Sequence, residues 1–238
     1  AVKSELGKGI PMPLKHGKNL YKLKFDLPDA KLWDLETPYL YQLQAAVLVN
    51  GACTDRLAQQ FGMRSFTQDT ENPQRKGMFY LNGRPIRLRG ANTMGFEQQD
   101  VLRGDLPQLI DDILLAKLCN MNFLRLTQRP VQDEVYEYCD KLGLMTQTDL
   151  PLFGVMRRFH VPEGIRQAEE LARMVRRHPC NVVVSYINEP FPNANNEPHR
   201  HLLRPELESF FTCCDLVVKL SNPDQVIKHV DGDYDPPT

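Results

Sequence analysis

The almost unbroken apolar run Val182-Val183-Val184-Ser185-Tyr186-Ile187, closed by Asn188-Glu189-Pro190, most restricts what this chain can fold into. A run of that length without alternation reads as a parallel strand buried on both faces. Such a strand needs neighbours on either side and helices to cover it. Proline at 190 stops the ladder, so the run predicts a strand over 182–187 with Asn188 and Glu189 at its carboxyl end. In barrels and open α/β sheets, that end is where reactive groups are placed. A glutamate there, beside an amide able to hydrogen-bond a hydroxyl, suits a general acid acting on a leaving oxygen. The competing reading is a glutamate that caps the next helix.

The flanking sequence supplies the partners. Leu106, Leu109, Ile110, Ile113 and Leu114 form a helical stripe before a short strand over 123–126. Val131, Val135, Tyr138, Cys139 and Leu142 form the next helix, followed by a strand over 144–148. Ile165, Ala168, Ala172 and Val175 lead into 182–187, and Leu207, Phe210, Phe211, Cys214, Val217 and Val218 lead into 226–230. With 86–91 as the first strand, this is βαβ repetition around a parallel sheet. Five strands are too few to close an eight-stranded barrel, so the segment reads as about half of one.

Before residue 78 the rhythm is β. Tyr41, Leu43, Ala45, Val47 and Val49 alternate on one face, and Asn50-Gly51 supplies a hairpin turn before a second strand over 54–66. A further hairpin turns at Asn82-Gly83. These strands resemble part of an antiparallel sandwich, with the lone Trp33 packed in it. The expected fold class is α/β: residues 1–70 as part of a sandwich, and 71–238 as the first half of a (β/α)8 barrel.

With 29 basic and 30 acidic residues, the chain carries no electrostatic footprint for nucleic acid or an anionic membrane. No apolar stretch is long enough to span a bilayer. The first residues lack a charged-then-apolar leader pattern, and the compartment stays open between cytoplasm and periplasm or exterior. The six cysteines show no paired spacing and read as buried thiols. His160, His178, His199 and His201 read as surface or loop residues. The acidic stretch Asp231-Gly232-Asp233-Tyr234-Asp235 lacks the downstream glutamate of a calcium loop, so no metal is expected.

Six motifs in order carry a resemblance. They are Trp33-x4-Pro38-x-Leu40-Tyr41; Phe61-Gly62-Met63-Arg64; Phe79-x-Leu81-Asn82-Gly83-x-Pro85-Ile86-x-Leu88-Arg89-Gly90-Ala91-Asn92; Asn122-x2-Arg125; Tyr136-x2-Cys139-Asp140-x-Leu142-Gly143-Leu144; and His178-Pro179-x5-Ser185-x2-Asn188-Glu189-Pro190. Together they resemble the sandwich-to-barrel junction of glycoside hydrolase family 2. The resemblance implies an immunoglobulin-like sandwich before a (β/α)8 barrel, and an exo-β-glycosidase that works with retention through two glutamates. Its acid/base glutamate follows an asparagine at the end of the fourth barrel strand, which maps onto Glu189 and Asn188. Its nucleophile lies near the end of the seventh strand, which is expected beyond the C-terminal end of these residues. A β-glycoside is the implied partner and no organic cofactor is implied. A homo-oligomer of the full-length protein is compatible with the family.

The resemblance also ranks the other strand ends. Arg125 would face the mouth and orient carboxylates, against an ordinary buried ion pair. Asn92 would face substrate, against a turn asparagine. Gln128 and Arg129 stand where several galactosidases and glucuronidases carry a histidine before an aromatic residue, which opens the question of which sugar is bound. Asp149 precedes an apolar residue, as in mannosidase-like sequences, and reads as a hydroxyl ligand or a cap. His229 and Asp231 read as sugar-facing, and the polar loop 191–204 is placed to wall the aglycone side. The expected function is part of a retaining exo-β-glycosidase, with β-mannoside or β-galactoside favoured over β-glucuronide. The alternative is a catalytically incomplete carbohydrate-binding or docking segment.

Overall fold

The computed structural model describes residues 15–24, 26–154, 156–190 and 202–232. The chain divides into two compact units at residue 31. In the first, Asn19 closes a local loop: its amide accepts from Lys15 N at 3.0 Å and donates to Lys15 O at 2.8 Å. The second unit, from Leu32 onward, carries the described helices and strands.

Strands β1 (Tyr41–Val49) and β2 (Ala52–Phe61) form an antiparallel hairpin. Asn50 and Gly51 turn it with φ of 50° and 81°, the left-handed pair that matches strand twist. The alternation along β1 anticipates one buried face. Instead the hairpin is exposed along most of its length, because among the described residues these two strands form a sheet of their own. Strands β3 (Phe66–Gln68), β4 (Phe79–Leu81) and β5 (Arg84–Ile86) form a second antiparallel sheet. It turns through Asn82 and Gly83, and Phe66 stacks on Phe79 with centroids 5.4 Å apart.

The strand expected over 54–66 is broken between Phe61 and Phe66. There the chain leaves its ladder to dock on the parallel sheet. A Cβ on Gly62 would stand 2.5 Å from Pro179 Cγ. Arg64 donates to Pro179 O at 3.0 Å and to Asn181 O at 2.6 Å. Desolvation of its guanidinium pulls Arg64 down to about 10. Replacing Arg64 by Met leaves both carbonyls without their charged donor. The expected loss is about 2–3 kcal/mol in urea unfolding; a loss below ~0.5 kcal/mol would rule out a fastening role.

The five-stranded sheet consists of β6 (Gly90–Thr93), β7 (Phe123–Leu126), β8 (Met145–Asp149), β9 (Asn181–Asn188) and β10 (Val226–Asp231). Its order is β10-β9-β8-β7-β6 and every pairing is parallel. Helices α1 (Phe96–Arg103), α2 (Leu106–Leu118), α3 (Asp133–Leu142), α4 (Val161–Val175) and α5 (Arg204–Ser221) fill the crossovers. This is part of a (β/α)8 barrel, preceded by antiparallel strands consistent with a sandwich.

Two boundaries differ from expectation. Residues 86–91 are not one strand: Ile86 ends β5, and the barrel strand begins at Gly90. Between them the side chain of Asn122 imitates a strand neighbour, donating to Arg87 O at 2.9 Å and accepting from Arg89 N at 2.8 Å. Gly90 passes so close to β7 that a Cβ there would lie 1.8 Å from Phe123 O. The first crossover also holds two helices, because Gly104, left-handed at φ 74°, ends α1, and Asp105 then caps α2.

The core lies between sheet and helices, and two expectations fail in it. His178 is fully buried rather than at the surface: its Nδ1 meets Asp140 Oδ2 at 2.7 Å. Trp33 packs against the barrel helices rather than inside a sandwich, donating its indole N–H to Asp140 O in α3 at 2.7 Å. Asp140 also accepts from Gln60 and from Cys180 N, so one buried carboxylate ties the hairpin, α3 and the start of β9. Of the six thiols, Cys139, Cys180 and Cys214 are buried while Cys53, Cys119 and Cys213 are exposed, and all are free.

Candidate active site

Every residue of β8 is buried, yet between Met145 and Leu150 the strand reads Thr-Gln-Thr-Asp. Buried polar groups must be hydrogen-bonded, and the two faces meet this in different ways. Thr148 faces the helices, sharing a hydrogen bond with Tyr136 and accepting from Asn181. Gln147 and Asp149 face the opposite, concave side, where they meet Arg125 of β7.

Arg125 organises that side. It donates to Asp149 Oδ2 from Nε at 3.0 Å and from Nη2 at 2.7 Å, and to Asn188 Oδ1 at 2.7 Å. Its Nε also lies 3.6 Å from Asp231 Oδ2. Gln147 Nε2 donates to Asp149 Oδ1 at 2.9 Å and to Asp231 Oδ2 at 2.6 Å. Gln128, left-handed at φ 66°, gives its backbone N–H to Asp149 Oδ2 at 3.0 Å. Lys228 pairs with Asp231 Oδ1. Burial pushes the Asp149 carboxyl above the usual range, and the hydrogen bonds from Arg125 and Gln147 pull it only part of the way back.

Glu189 stands immediately past β9. Its φ of 47° is left-handed, a conformation that costs a side-chain-bearing residue free energy unless its surroundings hold it. Its N–H is held by Asp231 O at 2.7 Å. A Cβ on Gly232 would stand 2.5 Å from Glu189 Cγ, so the β10 terminus walls the glutamate on one side.

Of the residues singled out in the sequence, Asn188, Arg125, Asp149 and Asp231 thus form one bonded group, with Glu189 attached through its backbone. Asn92 is exposed and pairs in register with Arg125, which puts it on the same face. Gln128 joins the group through its backbone N–H. His229 does not join it. Its Nε2 bonds Asp215 of α5 at 2.9 Å and its ring stacks on Phe211 at 4.9 Å, on the helix-covered face. Asp233, Asp235, His199 and His201 lie outside the described residues, as do positions 191–201 of the loop expected to wall the aglycone side. Arg204 already belongs to α5. Sequence reasoning missed Gln147 and Lys228; the signal for Gln147 was an all-polar stretch in a strand that had to be buried.

Comparison with known proteins adds the family. Residues 3–64 match the model of glycosyl hydrolases family 2, and residues 74–205, more than half of the chain, match the model of that family's TIM barrel domain. The chain belongs to glycosyl hydrolase family 2. Among relatives, it is 33% identical over 170 residues to a β-galactosidase of Aeromonas hydrophila subsp. hydrophila, covering 66% of this chain and 16% of that protein. It is 29% identical over 180 residues to a β-glucuronidase of Mus musculus, covering 70% and 26%. A solved Bacteroides uniformis β-glucuronidase superposes with a TM-score of 0.67 at 24% identity, over 83% of this chain and 24% of that one. The chain therefore spans about a quarter or less of these three proteins. In this family-2 chain the bonded group sits at the carboxyl ends of β7 to β10, the edge of a barrel that holds active sites.

Proposed function

We propose that these residues supply the acid/base side of a retaining exo-β-glycosidase site, with Glu189 as the acid/base. One observation carries the reading: Glu189 leaves β9 in a strained backbone held by Asp231, directly beside an asparagine clamped by Arg125. In the first step the Glu189 proton passes to the glycosidic oxygen as the bond to the anomeric carbon breaks. In the second, the Glu189 carboxylate takes a proton from the attacking water. Arg125 occupies the Asn188 oxygen, which leaves the amide nitrogen to donate to a sugar hydroxyl. Asn92, Asp149, Asp231 and Gln128 line the same sugar site.

A retaining mechanism also needs a carboxylate about 5 Å from the acid to attack the anomeric carbon. Asp149 and Asp231 make poor nucleophiles, because their oxygens are already committed to Arg125, Gln147, Gln128 and Lys228. We assign the nucleophile to a later barrel strand than those of this chain. The two cations of the bonded group, Arg125 and Lys228, are already paired with Asp149 and Asp231, which supports a neutral β-mannoside or β-galactoside over a β-glucuronide. The domain division proposed here is 1–70 for the sandwich part and 71–238 for the barrel part.

A panel of p-nitrophenyl β-glycosides, run on the full-length protein that carries the later barrel strands, tests the reading, with calorimetric binding of the same compounds alongside. Release from a neutral glycoside supports it. Binding without release supports the alternative, a carbohydrate-binding or docking segment; neither binding nor release overturns both. Gly232→Ala provides a local check. The new methyl group would crowd Glu189 and strain the left-handed backbone of Gly232, φ 83°, so kcat is expected to fall about tenfold or more with a small loss of stability. An unaltered kcat would show that Glu189 does not depend on that wall.

A further inference from the structure

Arg125, Asp149, Gln147 and Asp231 form a closed ring. Arg125 binds Asp149, Asp149 accepts from Gln147, Gln147 donates onward to Asp231 at 2.6 Å, and Asp231 returns to Arg125 at 3.6 Å. The ring touches the Asn188-Glu189 dipeptide twice: Arg125 fixes the Asn188 side chain, and Asp231 fixes the Glu189 N–H. Gln147 is the neutral link. A primary amide nitrogen carries two N–H groups diverging by about 120°, which lets one atom bridge two carboxylates without adding charge. A carboxylate in its place would add repulsion; an aliphatic side chain would leave both acids short of a donor in a buried setting.

We propose that Gln147 is a positioning residue for this site. Its amide bridges Asp149 and Asp231 and thereby sets where Asn188 and Glu189 meet the sugar. Arg125 alone holds Asp149 tightly but stands 3.6 Å from Asp231, so the short bond from Gln147 is what draws the β10 terminus towards β8. The proposal rests on the reading of Glu189 given above, but it makes a claim about Asp149 that does not depend on turnover.

The test compares the chain with Gln147→Leu, and with the closer isostere Gln147→Met should the first variant fold poorly. The Asp149 side-chain carboxyl is followed by 13C NMR through a pH titration. Loss of a donor to the ionised form should move its midpoint upward, by about one unit for one hydrogen bond. Where the parent hydrolyses a β-glycoside, kcat should fall about 10- to 100-fold with KM changed much less. Gln147→Glu should recover part of that kcat only at acid pH, where its carboxyl is protonated and can donate. An unmoved Asp149 midpoint in a folded variant overturns the proposal. A full-length parent, carrying the later barrel strands, without turnover would count against the reading of Glu189, while the carboxyl titration would still decide the role of Gln147.

Discussion

Glu189→Gln is expected to cut turnover of β-glycosides with basic leaving groups by about 100- to 10,000-fold, the usual contribution of a general acid. The loss should shrink steadily as the leaving group becomes more acidic, because a good leaving group departs without protonation. KM should change little, since glutamine keeps the size and polarity of glutamate in the ground state. The measurement is a series of aryl β-glycosides graded by the acidity of the phenol. An equal loss across the series would mean that Glu189 acts by some route other than proton donation, and the assignment would fail.

Arg125→Met should give the largest loss of stability. Arg125 and Asp149 are both nearly buried, with side chains 11% and 3% exposed, and removing one partner strands the other charge. Breaking a buried pair in this way costs about 3–5 kcal/mol. The loss should depend on pH in a fixed sense. Burial already pushes the Asp149 carboxyl upward, and without the guanidinium it moves higher still. A carboxyl raised in the folded state favours folding while it is protonated, below its unfolded value. That contribution disappears as pH rises through the folded value. The deficit should therefore be largest near pH 7 and narrow towards about pH 4. Urea unfolding at both pH values checks this, and a small or pH-independent deficit would show that the pair is not electrostatically isolated.

The two variants separate chemistry from architecture. Glu189 is the proposed proton donor, and its replacement should be felt in the rate. Arg125 is held by two acceptor side chains, Asp149 and Asn188, with Asp231 as a looser ion-pair partner, and its replacement should be felt in both rate and stability.

Much of this chain was legible as local pattern. The 3.6-residue stripes of α2 to α5, the apolar run of β9 and the two Asn-Gly turns fixed element type and order, because periodicity reports which side of an element is buried. The proline after Glu189 marked the strand end at which the candidate acid stands. Residues without a local signature were misread. His178 has an ordinary loop context and only a distant carboxylate makes its burial tolerable. Trp33 reads as sandwich core until α3 offers it a carbonyl. His229 and Asp231 have the same parity on β10, yet one bonds Asp215 of α5 and the other bonds Gln147, which period-two alternation does not anticipate.

The order of strands and helices, and the placement of Asn188 and Glu189 at a strand end, thus follow from local pattern alone. Which polar groups satisfy one another is settled by the packing of distant segments. Arg125 and Asn188 are 63 residues apart in the chain, Gln147 and Asp231 are 84 apart, and Trp33 and Asp140 are 107 apart. Hydrophobic periodicity says that a side chain is buried. It carries no information about which donor, contributed by another strand, will meet it there; that is fixed only when the parallel sheet sets its register.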